Sequence, residues 1–367
     1  MKKIPLLLAL VLPLSCMERM NDLVHEEVPA EFIEFEIENQ KTALILKDDR
    51  KVQVEMPIDT DLTSLKIKKI KYTEGARLSK PLAEGDILDL SEPFEVELFT
   101  YDPYVWTITG YAPLSPGAPV TLNGPDPGVE LTREGPQVYN MGFDLWSKYP
   151  ESDIDVLYAS GASAEEQIWS AYGFWLAPYG ISVIEPVYDN PAVPGSGKAA
   201  LKLITKDYSG SLVEGGVYTG TSNLWPMLKN LELGVPFTSR PLAMEGYVLY
   251  KPGTIDYAEE PYLDRAGKGD IAHVVVLLTD GDSPVKITPP DSYVNYTEDE
   301  NIIGYGKMVF EEEMTEYMHF QLNIIYRNER TPSYVTVIAS ASALGDYLTG
   351  AAGSVLYVDD FAFLYGK

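Results

Sequence analysis

The chain of 367 residues holds a single cysteine, Cys16, and three histidines, His25, His273 and His319. One cysteine closes no internal disulfide, so the fold depends on its apolar cores. The histidines lie far apart, and none has a second ligand at metal spacing, which argues against a zinc centre. Positive charge is also short: 28 Lys and Arg stand against 55 Asp and Glu, a net charge of −27. Ligands held by their phosphates need clustered cations, so nucleic acid is not an expected partner. No Gly-x-Ser-x-Gly elbow for a nucleophilic serine occurs. Gly195-Ser196-Gly197-Lys198 falls short of a phosphate loop, because Ala192 and Ala199 stand where that loop needs Gly and Ser or Thr. The apolar stretch Ile4–Leu14 is far shorter than the ~20 residues of a membrane-crossing helix.

That short stretch follows Met1-Lys2-Lys3 and ends at Ser15-Cys16, the layout of an export signal. A small residue followed by Cys resembles the lipobox of bacterial lipoproteins, with Pro13 and Leu14 departing from its usual Leu and small residue. The resemblance implies a signal peptide and lipidated Cys16 in residues 1–16. It further implies an outer-membrane lipoprotein, at the cell surface or its periplasmic face, that meets the membrane through the anchor alone. Residues 17–30, acidic and without strand pattern, read as a tether.

Apolar residues make up 45% of the chain, enough for real cores, and the length points to two domains. Over residues 31–110 short alternating runs follow one another: Phe32, Phe35 and Ile37, then Val52, Val54 and Met56, then Phe94, Val96 and Leu98. Turns with Asp, Gly and Pro punctuate them, as in a small β-sandwich. Lys66, Lys68, Lys69 and Lys71 stud one run and read as a solvated or edge strand. Three segments of this stretch, Met56–Leu65, Asp89–Phe94 and Trp106–Thr109, resemble the immunoglobulin-like modules that precede the main domain of many surface lipoproteins. The role this implies is a spacer.

Residues 111–136 are rich in Pro and Gly, which stiffen and turn a chain without building a core, and residues 111–367 are read as linker plus second domain. Its end is the most regular part. Met318, Phe320, Leu322 and Ile324 alternate with His319, Gln321 and Asn323, the period of a half-buried strand. Tyr334–Ala341 is a second strand, and Ser354–Tyr365 a third that must pair inside a sheet. Gly246-Tyr247, Tyr250-Lys251, Asp270-Ile271-Ala272, Gly304-Tyr305-Gly306 and the run Gly345–Ser354 into Val358-Asp359-Asp360 resemble the putative carbohydrate metabolism domain family over residues 136–367. The resemblance implies an all-β chain: an immunoglobulin-like sandwich, then a larger jelly-roll sandwich akin to carbohydrate-binding modules, with carbohydrate as partner.

Sugar binding requires rings that stack on pyranose C–H faces, with amides and carboxylates for the hydroxyls. The chain has 25 Tyr and 5 Trp against 11 Phe, a bias toward rings with a polar edge. Trp169, Trp175, Tyr179 and Trp225 fall in segments read as loops, and His319, Gln321 and Asn323 would line a concave sheet. No catalytic residue can be named, because any two of 55 acidic residues could form a glycosidase pair and their separation is not written in sequence. Asp359-Asp360 break the alternation of the last strand. By similarity to jelly-roll modules these two with Asp144 would hold a structural Ca²⁺; the residues themselves fit equally a bulge or a solvent face, and no cofactor at all. The expected function is non-covalent glycan binding in carbohydrate use. A glycoside hydrolase and a structural adhesin or assembly subunit are the rival readings.

Overall fold

The computed structural model describes residues 29–47, 50–58, 60–100, 102–112, 129–150, 152–189, 192, 199–222, 231–289, 292–294 and 299–367. Among these the only helices are short 3₁₀ turns, and strands carry the fold. The first unit is a sandwich. Phe32–Ile37, Leu65–Tyr72 and Ile87–Leu88 form one sheet, and Thr42–Leu46, Lys51–Glu55, Pro103–Tyr111, Phe94–Phe99 and Arg77–Leu78 the other. Phe32, Val52, Val54, Ile67, Leu98 and Trp106 fill the space between them. The indole of Trp106 is sealed inside because its N–H donates to the Ala30 carbonyl at 3.0 Å.

The lysine-studded run is the middle strand of its sheet and not an edge. Its charges instead reach across to the neighbouring strand and the turn after it: Lys66 to Glu38 at 2.6 Å, Lys68 to Glu36 and Lys69 to Glu34, each at 2.7 Å. Exposed pairs of this kind contribute little each, about 0–1 kcal/mol, and serve to keep the face solvated.

The second unit is a larger sandwich. One layer has the strand order Ile184–Val187, Ala200–Ile204, Val355–Gly366, Ala243–Lys251 and Met318–Asn323. Leu131–Thr132 pairs with the end of Val355–Gly366, so the closing strand joins the opening of the unit. The other layer runs Val285–Ile287, Leu231–Leu233, Gly216–Ser222, Tyr334–Ser340, Ala272–Thr279, Ile302–Phe310 and Ile325–Tyr326. The chain crosses repeatedly between the layers, from Ala200–Ile204 to Gly216–Ser222, back to Ala243–Lys251, on to Ala272–Thr279, and at the end from Tyr334–Ser340 to Val355–Gly366, as in a jelly roll. Between the layers lie Met244, Val248, Val274, Val276, Leu322, Val337, Leu356, Val358, Phe361 and Phe363.

All eight residues of Ala272–Thr279 are buried, because this strand has apolar neighbours on both faces. Its outer side packs Val275 and Leu277 against Tyr218, Leu233 and Ile287. Nearby, Tyr262, Ile271, Val309 and Leu344 receive Ile58 of the first sandwich. Lys41 pairs with Glu311 at 2.7 Å, and Lys307 lies over the Tyr111 ring at 5.1 Å. The expected spacer is therefore docked: the first sandwich covers part of the outer face of the larger sheet.

His273 is closed into that junction, where burial and then the Lys307 charge hold its pKa well below the ordinary imidazole value. The folded chain keeps it neutral, whereas the unfolded chain takes up a proton below about pH 6.5. Stability tied to this residue is thus present above that pH and falls as pH drops, by up to about 1.4 kcal/mol per pH unit. The His273→Gln variant should show a flatter decline of melting temperature between neutral pH and pH 5 than the parent. Parallel profiles would show that His273 does not set the slope.

Candidate functional site

The two sheets differ in what their outer faces meet. The larger is covered by its own apolar cluster and by the first sandwich, whereas the smaller presents polar and aromatic side chains to solvent. Alternation explains which. In Ala243–Lys251, Met244, Val248 and Tyr250 point inward, which sends Glu245 and Tyr247 outward. In Met318–Asn323, Phe320 and Leu322 point inward and His319 and Gln321 outward, directly opposite Tyr247 and Glu245. On the other side Asp359 of the closing strand is the partner of Tyr247, and Tyr357 the partner of Leu249.

The closing strand carries one residue more than its neighbour between Glu245 and Tyr247. Asp360 takes up the difference with a left-handed φ of 51°, and Phe361 returns to the core between Phe143 and Phe320. Two carboxylates in succession thereby miss the core. Asp360 and Glu245 share Arg133: its Nε donates to Glu245 at 2.6 Å and its Nη1 to Asp360 at 3.1 Å. The second oxygen of Glu245 meets His319 Nε2 at 3.0 Å. The His319 ring stands edge-on to Tyr247 with centroids 5.1 Å apart, and Tyr317 to Tyr357 at 6.4 Å. The face is thus a row of half-buried rings beside a connected group of acceptors and donors.

Asp359 behaves differently from its neighbour. It is 1% exposed and accepts the Ala192 N–H at 2.8 Å. Burial, with smaller contributions from the Asp360 and Asp144 charges, pushes its carboxyl up to about 6 against the pull of the Ala192 hydrogen bond. Asp144 likewise accepts a backbone N–H, from Ala199 at 3.0 Å. The three residues expected to hold calcium are neighbours, yet two spend an oxygen on backbone donors and the third on Arg133. Among the described residues no group of three His, Cys, Asp or Glu side chains is placed to hold a metal ion.

The aromatic expectations fare unevenly. Trp169 is on a strand, Trp169–Ala171, not a loop, and at 6% exposure it packs in the core with its ring edge-on to Phe143 at 5.2 Å. Its N–H reaches the Tyr139 carbonyl at 2.8 Å, which lets the whole indole be buried at no hydrogen-bond loss. Tyr179 is 67% exposed at the end of a 3₁₀ turn, Phe174–Tyr179; Trp175 lies in the same turn, its side chain outside the described residues. Trp225 and Cys16 also lie outside them. His319 and Gln321 take the expected outward positions, but Asn323 is 6% exposed and accepts the Gln321 amide at 3.0 Å, so it braces the face from below.

Tyr247, Tyr317, Tyr357, Glu245 and Arg133 were not anticipated. The alternation around Met244–Lys251 and Leu356–Phe361 holds the signal for Tyr247, Glu245 and Tyr357. Nothing local marks Arg133, which meets Glu245 from 112 residues away.

Comparison with known proteins bears on the strands that build this face. Residues 185–364 match the family model described as Putative carbohydrate metabolism domain. The match begins later than the 136 expected from the resemblance, and takes in strands of both layers from residue 185 onward. No curated protein matches the chain. Among solved structures, it is similar to a putative glycoside hydrolase from Bacteroides thetaiotaomicron, with 18% identity, a TM-score of 0.49, and coverage of 94% of this chain and 99% of that one. A putative glycoside hydrolase from Bacteroides vulgatus matches with 20% identity and a TM-score of 0.49, over 62% of this chain and 97% of its own. TmCBM61, in complex with β-1,4-galactotriose, matches with 11% identity and a TM-score of 0.24, over 54% and 87%. None of the three reaches a TM-score of 0.5.

Proposed function

We propose that the protein binds a neutral glycan, without cleaving it, on the outer face of the smaller sheet. The observation that carries this is the row of Tyr247, Tyr317 and Tyr357 on one open sheet face, beside Glu245, His319, Gln321 and Arg133. Rings offer stacking to sugar C–H groups, and the polar side chains offer donors and acceptors to hydroxyls. Arg133 is already matched by two carboxylates, which lowers its pull on a uronate or sulfate and favours a neutral sugar beside it. No metal takes part in this reading.

Hydrolysis would require an acid of raised pKa that substrate can reach. Asp359 meets the first condition and, at 1% exposure, fails the second. Binding is therefore the stronger reading. Calorimetric titration with neutral oligosaccharides of glucose, galactose, mannose and xylose tests it. Tyr247→Ala and Tyr357→Ala should each weaken the bound oligosaccharide about tenfold, the loss expected when a ring covering roughly 50 Å² of apolar sugar surface is removed. Unchanged affinity in both variants, or release of reducing ends by the parent protein, would overturn the proposal.

The same proposal places the protein on a membrane through lipid on Cys16, from the signal-like layout that ends there. Cys16→Ser should move the protein from the membrane fraction to the soluble one, and retention in the membrane fraction would remove the anchor.

A further inference from the structure

We infer a second carbohydrate site, separate from the sheet face, that holds a single neutral sugar ring. It is a cavity of about 180 Å³ beside the paired strands Ser147–Lys148 and Asp155–Val156 and the turn Phe174–Tyr179. Its wall is aromatic: Tyr149 meets Phe174 edge-on at 5.2 Å, and Tyr158 stands near Tyr149. Gln167, Ser170 and Thr221 supply polar groups, and Trp169 with small aliphatic side chains forms the rest of the lining.

Three properties narrow the occupant. The first is charge: in a chain with 83 charged residues (28 basic and 55 acidic), no lining side chain among the described residues carries any. An ionic ligand would lose its hydration and find no counter-charge. The second is polarity. The hydroxyls of Tyr149 and Tyr158 have no hydrogen-bond partner among the described residues, while the Ser170 hydroxyl donates to the Gly220 carbonyl and keeps its lone pairs. A purely apolar guest would cover these oxygens unpaired, which is unfavourable. The third is size. The volume is well above that of a bound water and below the roughly 300–1,000 Å³ of sites for drug-sized ligands. A neutral pyranose, with an apolar C–H face and a rim of hydroxyls, satisfies all three, as the terminal unit or a side branch of a glycan.

The site does not depend on the sheet face, since the two share no side chain named in either. The test uses the full chain, with methyl glycosides of glucose, galactose, mannose and xylose as probes and glucuronate and galacturonate as charged counterparts. Saturation-transfer NMR and calorimetry should show millimolar binding of at least one methyl glycoside and none of the uronates. Phe174→Ala and Gln167→Ala should each weaken it about tenfold, the loss of one stacking or hydrogen-bonding partner. Gln167 is exposed and among the described residues its side chain holds only the Ala162 carbonyl, at 2.8 Å, so its variant disturbs packing less than loss of the Phe174 ring. The inference is overturned by a panel with no binder, by uronates that bind as tightly, or by binding that persists in Phe174→Ala and falls in Tyr247→Ala. Oligosaccharide binding lost in Tyr247→Ala, with no monosaccharide binding, would end the second site and leave the first standing; the reverse pattern would end the first alone.

Discussion

Asp270→Ala is expected to lower the melting temperature of the second sandwich by about 10 °C or more, the shift that a loss of about 3–5 kcal/mol produces in a domain of this size. Asp270 has no solvent exposure, and its carboxylate gathers four donors: the Ser342 hydroxyl at 2.6 Å, the Ser354 hydroxyl at 2.7 Å, and the Ala351 and Ile271 N–H groups at 2.8 Å. Burial raises its pKa while those four bonds lower it, so the site is built around the charge and still strains against it. Truncation to Ala takes the acceptor from two amides and two hydroxyls in the interior; Ser342 keeps Thr205 at 2.7 Å and Ser354 still accepts the Gly253 N–H at 2.9 Å, so the two amides bear most of the penalty, about 1–3 kcal/mol each before relaxation. Asp270→Asn keeps the shape and one acceptor oxygen, while the other position becomes a donor, and should fall between parent and Ala variant. Calorimetry decides: an unchanged transition in Asp270→Ala would show that the loop is held by something else.

Gly246→Val is expected to be similarly damaging, and to weaken glycan binding as well. A Cβ on residue 246 would sit 2.3 Å from Cδ1 of Phe361 and 3.2 Å from the Asp359 carbonyl. Phe361 cannot swing away, because Phe143 and Phe320 hold it on two sides with centroids 5.1 and 5.4 Å distant. Overpacking of a closed core costs about 1–3 kcal/mol and more where backbone must move. Relief would come from the bulge at Asp360, the softest element nearby, and that is the element that aims Asp359 and Asp360 and so positions Arg133. A lowered melting temperature together with weakened oligosaccharide affinity is the expected pair of results. Full affinity in a folded Gly246→Val protein would separate the bulge from the binding face.

These two residues also show how far the sequence can be read. The alternating runs Met318–Ile324 and Val52–Met56 are sandwich strands with the expected side inward, because a period of two survives any tertiary context in which one face is dry. The run Tyr334–Ala341 is buried on both faces, which a stretch of Val, Ile and Thr permits but does not announce. Asp270-Ile271-Ala272 and Gly345–Ser354 could be picked out as two motifs of one family. Their meeting at a single buried carboxylate is a long-range contact that no local pattern encodes.

The binding face is half legible for the same reason. His319 and Gln321 follow from alternation, whereas Asn323 has the same phase and is buried, since exposure near a sheet's end depends on what lies over it. Trp169 reads as a displayed ring because its segment reads as a loop. A tryptophan whose N–H has a carbonyl within reach stabilises more inside than outside, and only the fold could show that Tyr139 supplies one.

The closing strand has an implication for how the chain comes to be folded. Residues 355–366 lie between Ala200–Ile204 and Ala243–Lys251, so those two strands have nothing to pair with across the gap until residue 366 has been made. Contacts that span more than a hundred residues are slow to form, because the loop between them must be ordered first. A nascent second unit therefore stays open through most of its synthesis. That is the condition in which a polypeptide can be threaded through a narrow pore, and in which its unpaired strand edges need a chaperone's shelter.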